Sequence, residues 1–417
     1  MKTVGIIAEY NPFHTGHFYH LKKAREMSGC PFCTVVLSPD FVQRGEPAIF
    51  GKYDRAKMAL LAGADLVLEL PVCYAAGSAE YFSAGACALL EGIKVTDGLC
   101  FGAENETAEN FQKAAAFFIH EPVSYSRLLS SLVRSGLTFP KARDKAAGSI
   151  LEQTEKGSLP DSFLASPNNI LGVEYAKALK RLGSSIRLLP IRREGSSYHD
   201  PFLSGSFCSA TALRKEIEKE PDAGLSASLL PYIPEFCRDV WETALLTPAF
   251  SEDLCWYLYQ KLLSSEDFSA YLDVSSDLNR RILRMRFSCI GKSWREILAL
   301  LKTKHLTEAR IRRTLLHILL EIRREDMENF LSHGTVFYAK VLGFKKSAAP
   351  LLHAIKEKSR IPLITKVAAA EKLLSPLGQK MLSQDLYASH LYRSILSGKH
   401  HLPFRTEQEI SPVILDS

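Results

Sequence analysis

The chain has 417 residues, of which 46% are hydrophobic and 24% charged, and its formal net charge at pH 7 is +6. This length predicts two or three domains, and the composition excludes a wholly disordered, collagen-like or low-complexity protein. No segment approaches the ~20 uncharged apolar residues of a membrane-spanning helix, and the N-terminal apolar run is too short for a signal peptide. We therefore expect a cytoplasmic protein without membrane contact.

The first half of the sequence alternates short apolar runs with helical patterns. The predicted strands are Thr3–Ala8, Cys33–Leu37, Ala64–Leu70, Gly98–Phe101 and Ser185–Ile191. The predicted helices are Gly16–Glu26, Arg55–Ala62, Ala79–Glu91, a long helical stretch over about 107–156, Leu164–Leu182 and Ala210–Lys219. This alternation predicts βαβ units and hence a Rossmann-like α/β domain with a parallel sheet.

The pattern changes after Pro221, where apolar residues recur with helical spacing. The predicted helices are Leu254–Leu263, Leu278–Phe287, Trp294–Thr303, Glu308–Phe330 and Ser347–Lys358. We therefore predict a Rossmann-like domain over residues 1–222 and a mostly α-helical, basic domain over residues 223–417. The tail after His400 is expected to be loosely structured.

Cysteine usage argues against a disulfide framework and a zinc site. The sequence has nine cysteines, an odd number with irregular spacing. Cys30 and Cys33 form a lone CxxC pair, and a zinc site of this type needs a second pair of ligands. We therefore predict no metal-ligating residues. No feature of the sequence specifies an oligomeric state.

The most informative segment is N-P-F-H-T-G-H, residues 11–17, which follows the first predicted strand. It places His14 and His17 at the start of a helix, where free N–H groups and the helix dipole favour an anion. Gly16 lets a nucleotide approach the backbone, and the imidazoles can donate hydrogen bonds to phosphate oxygens. A helix cap is the alternative role for such a pair, but its position directly after the first strand favours a phosphate site.

A second segment, from Ser204 to Arg214, is a turn rich in hydroxyl groups that enters a helix. Ser209 or Thr211 can cap the helix and contact phosphate, and Arg214 can neutralise a leaving pyrophosphate. An ordinary helix cap without a ligand is again the alternative.

The HxGH segment and the S-x-T-x-x-R segment together resemble the HIGH-type nucleotidyltransferase superfamily. Further segments resemble one branch, the bacterial tRNA(Met) cytidine acetate ligases, and keep that family's order: Gln43–Pro47, Lys52 to Arg55, Gly63–Pro71, Phe101–Glu104, Pro167–Leu171, Arg193 to Asp200 and Lys304 to Arg313. Asp40 stands where the family usually has Asn, and Ala103 where it has Ser. We expect the Asp40 carboxylate close to the nucleotide, where it would alter metal or acetate contacts.

The resemblance implies an enzyme that activates acetate with ATP to acetyl-adenylate and pyrophosphate. The acetyl group then moves to the exocyclic amine of the wobble cytidine of elongator tRNA(Met), giving N4-acetylcytidine. It implies that His14 and His17 face the phosphates. Attack of one anion on another needs local positive charge, which Arg214, the histidine pair and Mg²⁺ would supply, so the candidate catalytic residues are His14, His17 and Arg214. The implied ATP-binding residues are Ile7, Ala8, Glu9, Tyr10, Asn11, Pro12, Phe13, His14, Thr15, Gly16, His17, His20, Gly102, Asn169, Arg193 or Arg192, Ser209 and Thr211.

Positive charge is concentrated in residues 280–324, which hold 13 Lys or Arg and 3 Asp or Glu. Residues 310, 313, 317 and 324 share a helix face by three- and four-residue spacing, and aromatic residues lie between the cations. This pattern favours binding to RNA phosphates, with a solvated helix face as the alternative. The candidate RNA-binding residues are Arg281, Arg284, Lys304, Arg310 and Arg313.

Two other functions compete with the tRNA-acetylating ligase. One is an adenylyltransferase that acts on a small metabolite acceptor, against which the large basic helical region argues. The other is a non-catalytic RNA-binding protein, against which the intact HxGH segment and Arg214 argue.

Overall fold

The structure is a computed structural model that describes residues 1–104, 107–152, 159–160, 162–192, 208–219, 225–246, 252–303 and 306–416. The strands are β1 Thr3–Ala8, β2 Phe32–Leu37, β3 Phe41–Val42, β4 Glu46–Pro47, β5 Leu66–Glu69, β6 Thr96–Ala103, β7 Arg187–Arg192, β8 Ala339–Lys345, β9 Leu363–Ile364 and β10 Val413–Leu415. The helices of the first half are α1 Thr15–Ser28, α2 Lys52–Leu61, α3 Val72–Ala75, α4 Ala79–Gly92, α5 Ala108–Ile119, α6 Val123–Arg134, α7 Phe139–Glu152, α8 Pro167–Arg181 and α9 Ala210–Lys219. Those of the second half are α10 Arg238–Thr243, α11 Glu252–Ser264, α12 Ser276–Met285, α13 Trp294–Leu301, α14 Glu308–Leu319, α15 Arg324–Ser332, α16 Ala349–Lys358 and α17 Pro376–His400.

One large sheet lies at the centre, with strand order β10-β8-β5-β2-β1-β6-β7 and β9 beside β8. The five strands expected from the sequence all form, and they pair in parallel as β5-β2-β1-β6-β7. Their apolar runs are buried because helices cover both faces, as in other parallel sheets. The α/β fold class is thus confirmed.

The second half is mostly helical, yet it also contributes three strands to this sheet. Strand β8 pairs antiparallel with β5, and β9 and β10 pair in parallel with β8. The expectation of a loosely structured tail is wrong, because a 3₁₀ helix at Glu407–Glu409 and strand β10 follow α17. The division into domains at residues 222 and 223 stays a prediction.

Two helical stretches are shorter than the sequence suggested. The stretch over about 107–156 divides into α5, α6 and α7, and the stretch Glu308–Phe330 divides into α14 and α15. No helix among the described residues is long and apolar enough to span a membrane.

A set of buried charges joins the two halves of the protein. The Lys52 Nζ atom lies 2.7 Å from Glu69 and 3.1 Å from Glu407, and Lys340 Nζ lies 2.7 Å from each of the same carboxylates. Burial alone would lower the pKa of Lys52, but the Glu407 and Glu69 carboxylates outweigh it and raise that pKa well above its ordinary value. Removing one member would leave an uncompensated buried charge, so these four residues depend on one another.

Candidate active site

A cleft of about 260 Å³ lies at the carboxyl ends of β1, β6 and β7. Strand β1 has β2 on one side and β6 on the other, so the direction of strand addition reverses at this point. Ligands of open α/β sheets bind at such switch points, outside the carboxyl ends of the strands. The fold therefore presents the loop after β1 to a ligand.

His14 caps helix α1, and His17 stacks beside it. The Nδ1 atom of His14 accepts a hydrogen bond from the Gly16 N–H at 3.0 Å, and the two imidazole centroids are 3.8 Å apart. Because Nδ1 accepts, the proton of a neutral His14 ring lies on Nε2. Capping and phosphate recognition are therefore compatible roles for the same ring. The Tyr10 ring packs 4.8 Å from that of His17 and supports the pair from the core side.

Arg214 reaches the same cleft from α9. Its Nη1 atom donates to the Asn11 carbonyl oxygen at 2.6 Å, and its Nη2 atom donates to Thr211 Oγ1 at 3.2 Å. The Ser209 hydroxyl accepts from the Ala212 N–H at 3.1 Å and so caps the helix that carries the arginine. The two segments, some 200 residues apart in sequence, thus meet at one site.

Arg55 holds the loops around the cleft and is fully buried. It donates to the carbonyl oxygens of Glu9 and Ser38 at 2.8 Å each, and to those of Pro39 at 2.6 Å and Phe50 at 2.9 Å. These bonds join the segments that follow β1 and β2. Sequence analysis identified Arg55 only as part of a family segment. Its role could not be predicted because its partners are backbone carbonyl groups, which every residue has.

Most of the ATP-binding candidates line the cleft. The candidates that do so are Ile7, Ala8, Glu9, Tyr10, Asn11, His14, Gly16, His17, His20, Gly102, Arg192, Ser209 and Thr211, together with Arg214. Several further lining residues were not predicted from the sequence, among them Gln43, Arg44 and Asn168, although all three lie in family segments. Arg193 lies outside the described residues.

Four candidates do not line the cleft: Pro12, Phe13, Thr15 and Asn169. Phe13 is fully buried in the core. The Asn169 side chain accepts a hydrogen bond from the Glu104 N–H at 3.1 Å, and its neighbour Asn168 donates to the Glu104 carboxylate at 3.0 Å. Asn169 thus fixes the loop after β6, whereas Asn168 faces the cleft.

Asp40, which was expected close to the nucleotide, is not among the residues that line the cleft. Asp40 is 3% exposed, and its Oδ1 atom accepts a hydrogen bond from the Lys52 N–H at 2.9 Å. Helix α2 is preceded by Gly51, which has no side chain with which to cap it. Asp40 supplies the missing acceptor at the start of that helix.

The basic helices place the RNA-binding candidates in different surroundings. Arg281 donates to the carbonyl oxygens of Leu300 and Leu301 at 2.5 and 2.8 Å, so it caps the end of α13. Arg313 is mostly buried, with its Nε atom 3.7 Å from Asp273. Arg284 is exposed and Arg310 half-buried, and Lys304 lies outside the described residues.

The expected common face of residues 310, 313, 317 and 324 is not an exposed surface. His317 is fully buried, with Nδ1 3.1 Å from the Leu272 carbonyl oxygen and Nε2 2.9 Å from that of Ala76. Helix α14 packs against neighbours on more than one side, which helical spacing alone does not reveal. Of the aromatic residues that lie between the cations in sequence, Trp294 is also buried, whereas Phe287 is 65% exposed.

The described residues contain no group of three His, Cys, Asp or Glu side chains placed to hold a metal ion. Mg²⁺ in nucleotide sites is often bound through one or two carboxylates plus substrate phosphates. Glu9 is a carboxylate in the cleft lining, and its Oε1 atom already accepts a hydrogen bond from the Gln43 N–H at 2.8 Å. Mg²⁺ therefore stays a prediction.

Comparisons with known proteins agree with the resemblance seen in the sequence. The sequence model of the HIGH Nucleotidyl Transferase family matches residues 1–407. The tRNA(Met) cytidine acetate ligase of Thermoanaerobacter sp. (strain X514) is 38% identical over 395 residues, which cover 94% of this protein and 95% of the relative. The enzyme of the same name from Acetivibrio thermocellus is 36% identical over 398 residues, which cover 94% of both.

The solved structures agree as well. Thermotoga maritima TmcAL bound with alpha-thio ATP has a TM-score of 0.87 at 28% identity, and the whole of both proteins is covered. Its apo form has a TM-score of 0.89, also at 28% identity over the whole of both proteins. The resemblance seen in the sequence segments is thus confirmed over nearly the whole length. The protein belongs to the HIGH nucleotidyl transferase family and, within it, to the tRNA(Met) cytidine acetate ligases.

Proposed function

We propose that this protein is an ATP-dependent ligase that activates acetate as acetyl-adenylate and acetylates the wobble cytidine of elongator tRNA(Met). The observation that carries the proposal is the meeting of His14, His17 and Arg214 at one cleft. The relatives' shared name supplies the acceptor, and the bound nucleotide analogue of the Thermotoga structure supplies the ligand. Such an enzyme would act in the cytoplasm, and this location stays a prediction.

In the first step an acetate oxygen attacks the α-phosphorus of ATP. The bond from that phosphorus to the bridging oxygen breaks, and pyrophosphate leaves with the electron pair. Bringing two anions together needs positive charge and hydrogen-bond donors that are already in place. Arg214 and the stacked His14 and His17 provide these at the start of α1, where the helix dipole adds to the attraction.

In the second step the N4 amine of cytidine attacks the acetyl carbonyl carbon of the adenylate. The bond from that carbon to the AMP oxygen breaks, and the amine loses one proton to leave the N4-acetyl amide. The base must leave the anticodon stack to reach the adenylate. The cleft lies outside the carboxyl ends of β1, β6 and β7, so a splayed nucleotide would approach it from beyond the ends of the strands.

The basic helices supply the surface on which the tRNA would dock. Of the candidates, Arg284 is exposed and Arg310 is half-buried, whereas Arg281 and Arg313 have internal partners. We infer that the exposed cations contact phosphates and that the internal ones hold the helices in position. Binding is expected to weaken steeply with salt, because phosphate contacts release counterions.

The test is acetate-dependent ATP–pyrophosphate exchange without RNA, comparing the wild type with His17→Ala. Loss of one donor to the transition-state charge lowers rates by about 100-fold or more, so we expect exchange to fall by that amount. His353→Ala is the matched control, because His353 also lies on a helix but is 76% exposed on α16.

Transfer of labelled acetate to purified tRNA(Met) completes the test. Exchange that needs acetate, followed by label in the tRNA, would support both steps. If neither acetate nor added tRNA produced exchange, the adenylyltransferase of a small metabolite would replace this proposal. If His17→Ala retained full exchange, the assigned chemistry would be wrong.

A further inference from the structure

The Glu46 carboxylate lies between two arginines from opposite halves of the protein. Its Oε1 atom is 3.7 Å from Nε of Arg214, and its Oε2 atom is 3.2 Å from Nη1 of Arg312. Glu46 is 8% exposed and Arg214 is 7% exposed, so water screens their interaction weakly. Arg214 lines the ATP cleft, whereas Arg312 belongs to α14 and does not line it.

Strands β3 and β4 pair antiparallel as a short hairpin that carries Glu46, and this hairpin rests directly on the backbone of α14. A Cβ atom at Gly45 would lie 2.6 Å from both the carbonyl carbon of Arg312 and the backbone nitrogen of Arg313. Arg312 is itself held by Glu308 one helical turn earlier, at 2.8 Å. Contact with α14 thus fixes the segment that carries Glu46, and Glu308 fixes Arg312. The Glu46–Arg312 pair is therefore better ordered than an ion pair between mobile surface side chains.

We propose that Glu46 is a positioning residue for Arg214 and that Arg312 sets how strongly Glu46 holds it. Two further partners of Arg214, the Asn11 carbonyl and the Thr211 hydroxyl, are neutral, whereas Glu46 is a carboxylate that faces its Nε atom. When ATP enters, its phosphates compete with Glu46 for the same guanidinium. Glu46 thus lowers the affinity for ATP while it fixes the orientation that the α-phosphate attack requires. This inference rests on the proposed function, because it takes ATP as the ligand.

Two substitutions should shift ATP affinity in opposite directions. Glu46→Gln keeps the size of the side chain but removes the competing anion, so ATP should bind about two- to fivefold more tightly. Its turnover in acetate-dependent exchange should nevertheless fall about tenfold, because Arg214 is less well oriented. Arg312→Met leaves Glu46 with Arg214 alone, so ATP should bind about two- to fivefold more weakly. Calorimetric titration with ATP measures both dissociation constants.

Three further variants test whether Arg312 acts through Glu46 or only through its general effect on the local charge. Arg295→Met removes the same charge from the neighbouring helix α13 at an exposed residue, so its ATP affinity should match the wild type. The double variant Glu46→Gln/Arg312→Met should bind ATP like Glu46→Gln alone, because Arg312 acts through Glu46. Arg312→Lys keeps the charge and should bind ATP like the wild type.

The proposal is overturned if Glu46→Gln and Arg312→Met both weaken ATP binding, since that result indicates a merely structural hairpin. It is also overturned if Arg295→Met weakens binding as much as Arg312→Met does, or if the double variant shows additive changes. Thermal midpoints identify any variant that fails to fold. If Arg312→Met fails to fold, Arg312→Lys tests the role of Arg312 instead. Absence of acetate-dependent exchange in the wild type would contradict the proposed function instead, because ATP titration needs no acetate.

Discussion

The Tyr338 hydroxyl donates a hydrogen bond to the Asp385 carboxylate, which is 1% exposed inside the protein. The other carboxylate oxygen accepts the Val72 N–H at 2.7 Å. Burial and, to a smaller extent, the nearby Glu69 charge raise the pKa of Asp385 to about 7, although Lys340 and the hydrogen bonds from Tyr338 and Val72 act in the opposite direction. A carboxyl group on α17 is thus held by neutral donors in a place that disfavours its charge.

This arrangement predicts a specific pH dependence of stability. The unfolded carboxyl loses its proton near pH 4 and the folded one near pH 7, so the folded state binds more protons between these values. Its contribution to the free energy of unfolding therefore falls as the pH rises from about 4 to about 7 and stays constant above. The side chain of the Asp385→Asn variant cannot ionise. Its free energy of unfolding should therefore rise by about 1–3 kcal/mol relative to that of the wild type as the pH increases from 5 to 8.

Urea unfolding at pH 5 and pH 8 measures this difference. Asp277→Asn is the matched control, because Asp277 is 84% exposed and pairs with Arg280 on the surface. We expect its difference from the wild type to be the same at both pH values. An Asp385→Asn difference that did not change with pH would contradict the assigned pKa.

A second prediction concerns Gly45, at the contact between the hairpin and α14. Gly45 has φ +76, and a Cβ there would meet the backbone of α14 at 2.6 Å. Gly45→Ala therefore combines left-handed strain with displacement of the hairpin, and we expect a loss of about 3 kcal/mol or more in the free energy of unfolding.

Gly29→Ala is the matched control for this substitution. Gly29 also has positive φ, at +61, but a Cβ there would have nothing within 4 Å. We expect it to cost about 1 kcal/mol, from backbone strain alone. Equal losses in the two variants, measured by denaturant unfolding, would show that the contact with α14 contributes nothing.

A third prediction concerns Phe287, which is 65% exposed beside the basic helix α12. The Arg286 guanidinium lies 4.8 Å from its ring centroid and is held by the Ser265 carbonyl oxygen at 2.6 Å. The ring is therefore an ordered platform with a cation beside it, the combination that stacks on unpaired bases. Phe287→Ala should weaken binding of tRNA(Met) about tenfold while leaving ATP binding unchanged.

Phe404→Ala provides the comparison for Phe287→Ala. Phe404 is 47% exposed and packs against His390, away from the basic helices in sequence. Its substitution should leave tRNA binding unchanged in a filter-binding or gel-shift titration. If the two variants bound tRNA equally well, the surface around Phe287 would not be the docking surface.

The sequence predicted the parts of the fold that depend on local pattern. Strand β1 forms over the predicted residues, and helix α9 does as well, because their apolar spacing and caps specify them locally. Strands β8 and β10 were missed because their pairing partners lie far away in sequence, as β5 does for β8. A three-residue strand such as β10 has too few residues for a periodic pattern to mark it.

In the candidate site, too, local patterns in the sequence were informative and long-range contacts were not. His14, His17 and Arg214 were predicted as site residues from their residue types and spacing, and the fold brings them together. The roles of Arg55 and Glu46 were not visible, because one binds backbone carbonyl groups and the other pairs with a helix some 260 residues away. Arg313 was assigned to an RNA surface from its charge and helical spacing, which could not reveal Asp273, its partner from a separate turn.

Strands β8 to β10 and the buried charges, which depend on residues late in the sequence, have a consequence for synthesis of the protein on the ribosome. When the first half has emerged, β5 still presents an open edge, and Lys52 and Glu69 lack the partners Lys340 and Glu407. Open strand edges invite pairing with other proteins, and half-compensated ions oppose burial. The nascent polypeptide is therefore expected to stay incompletely folded until residues 407–415 leave the exit tunnel.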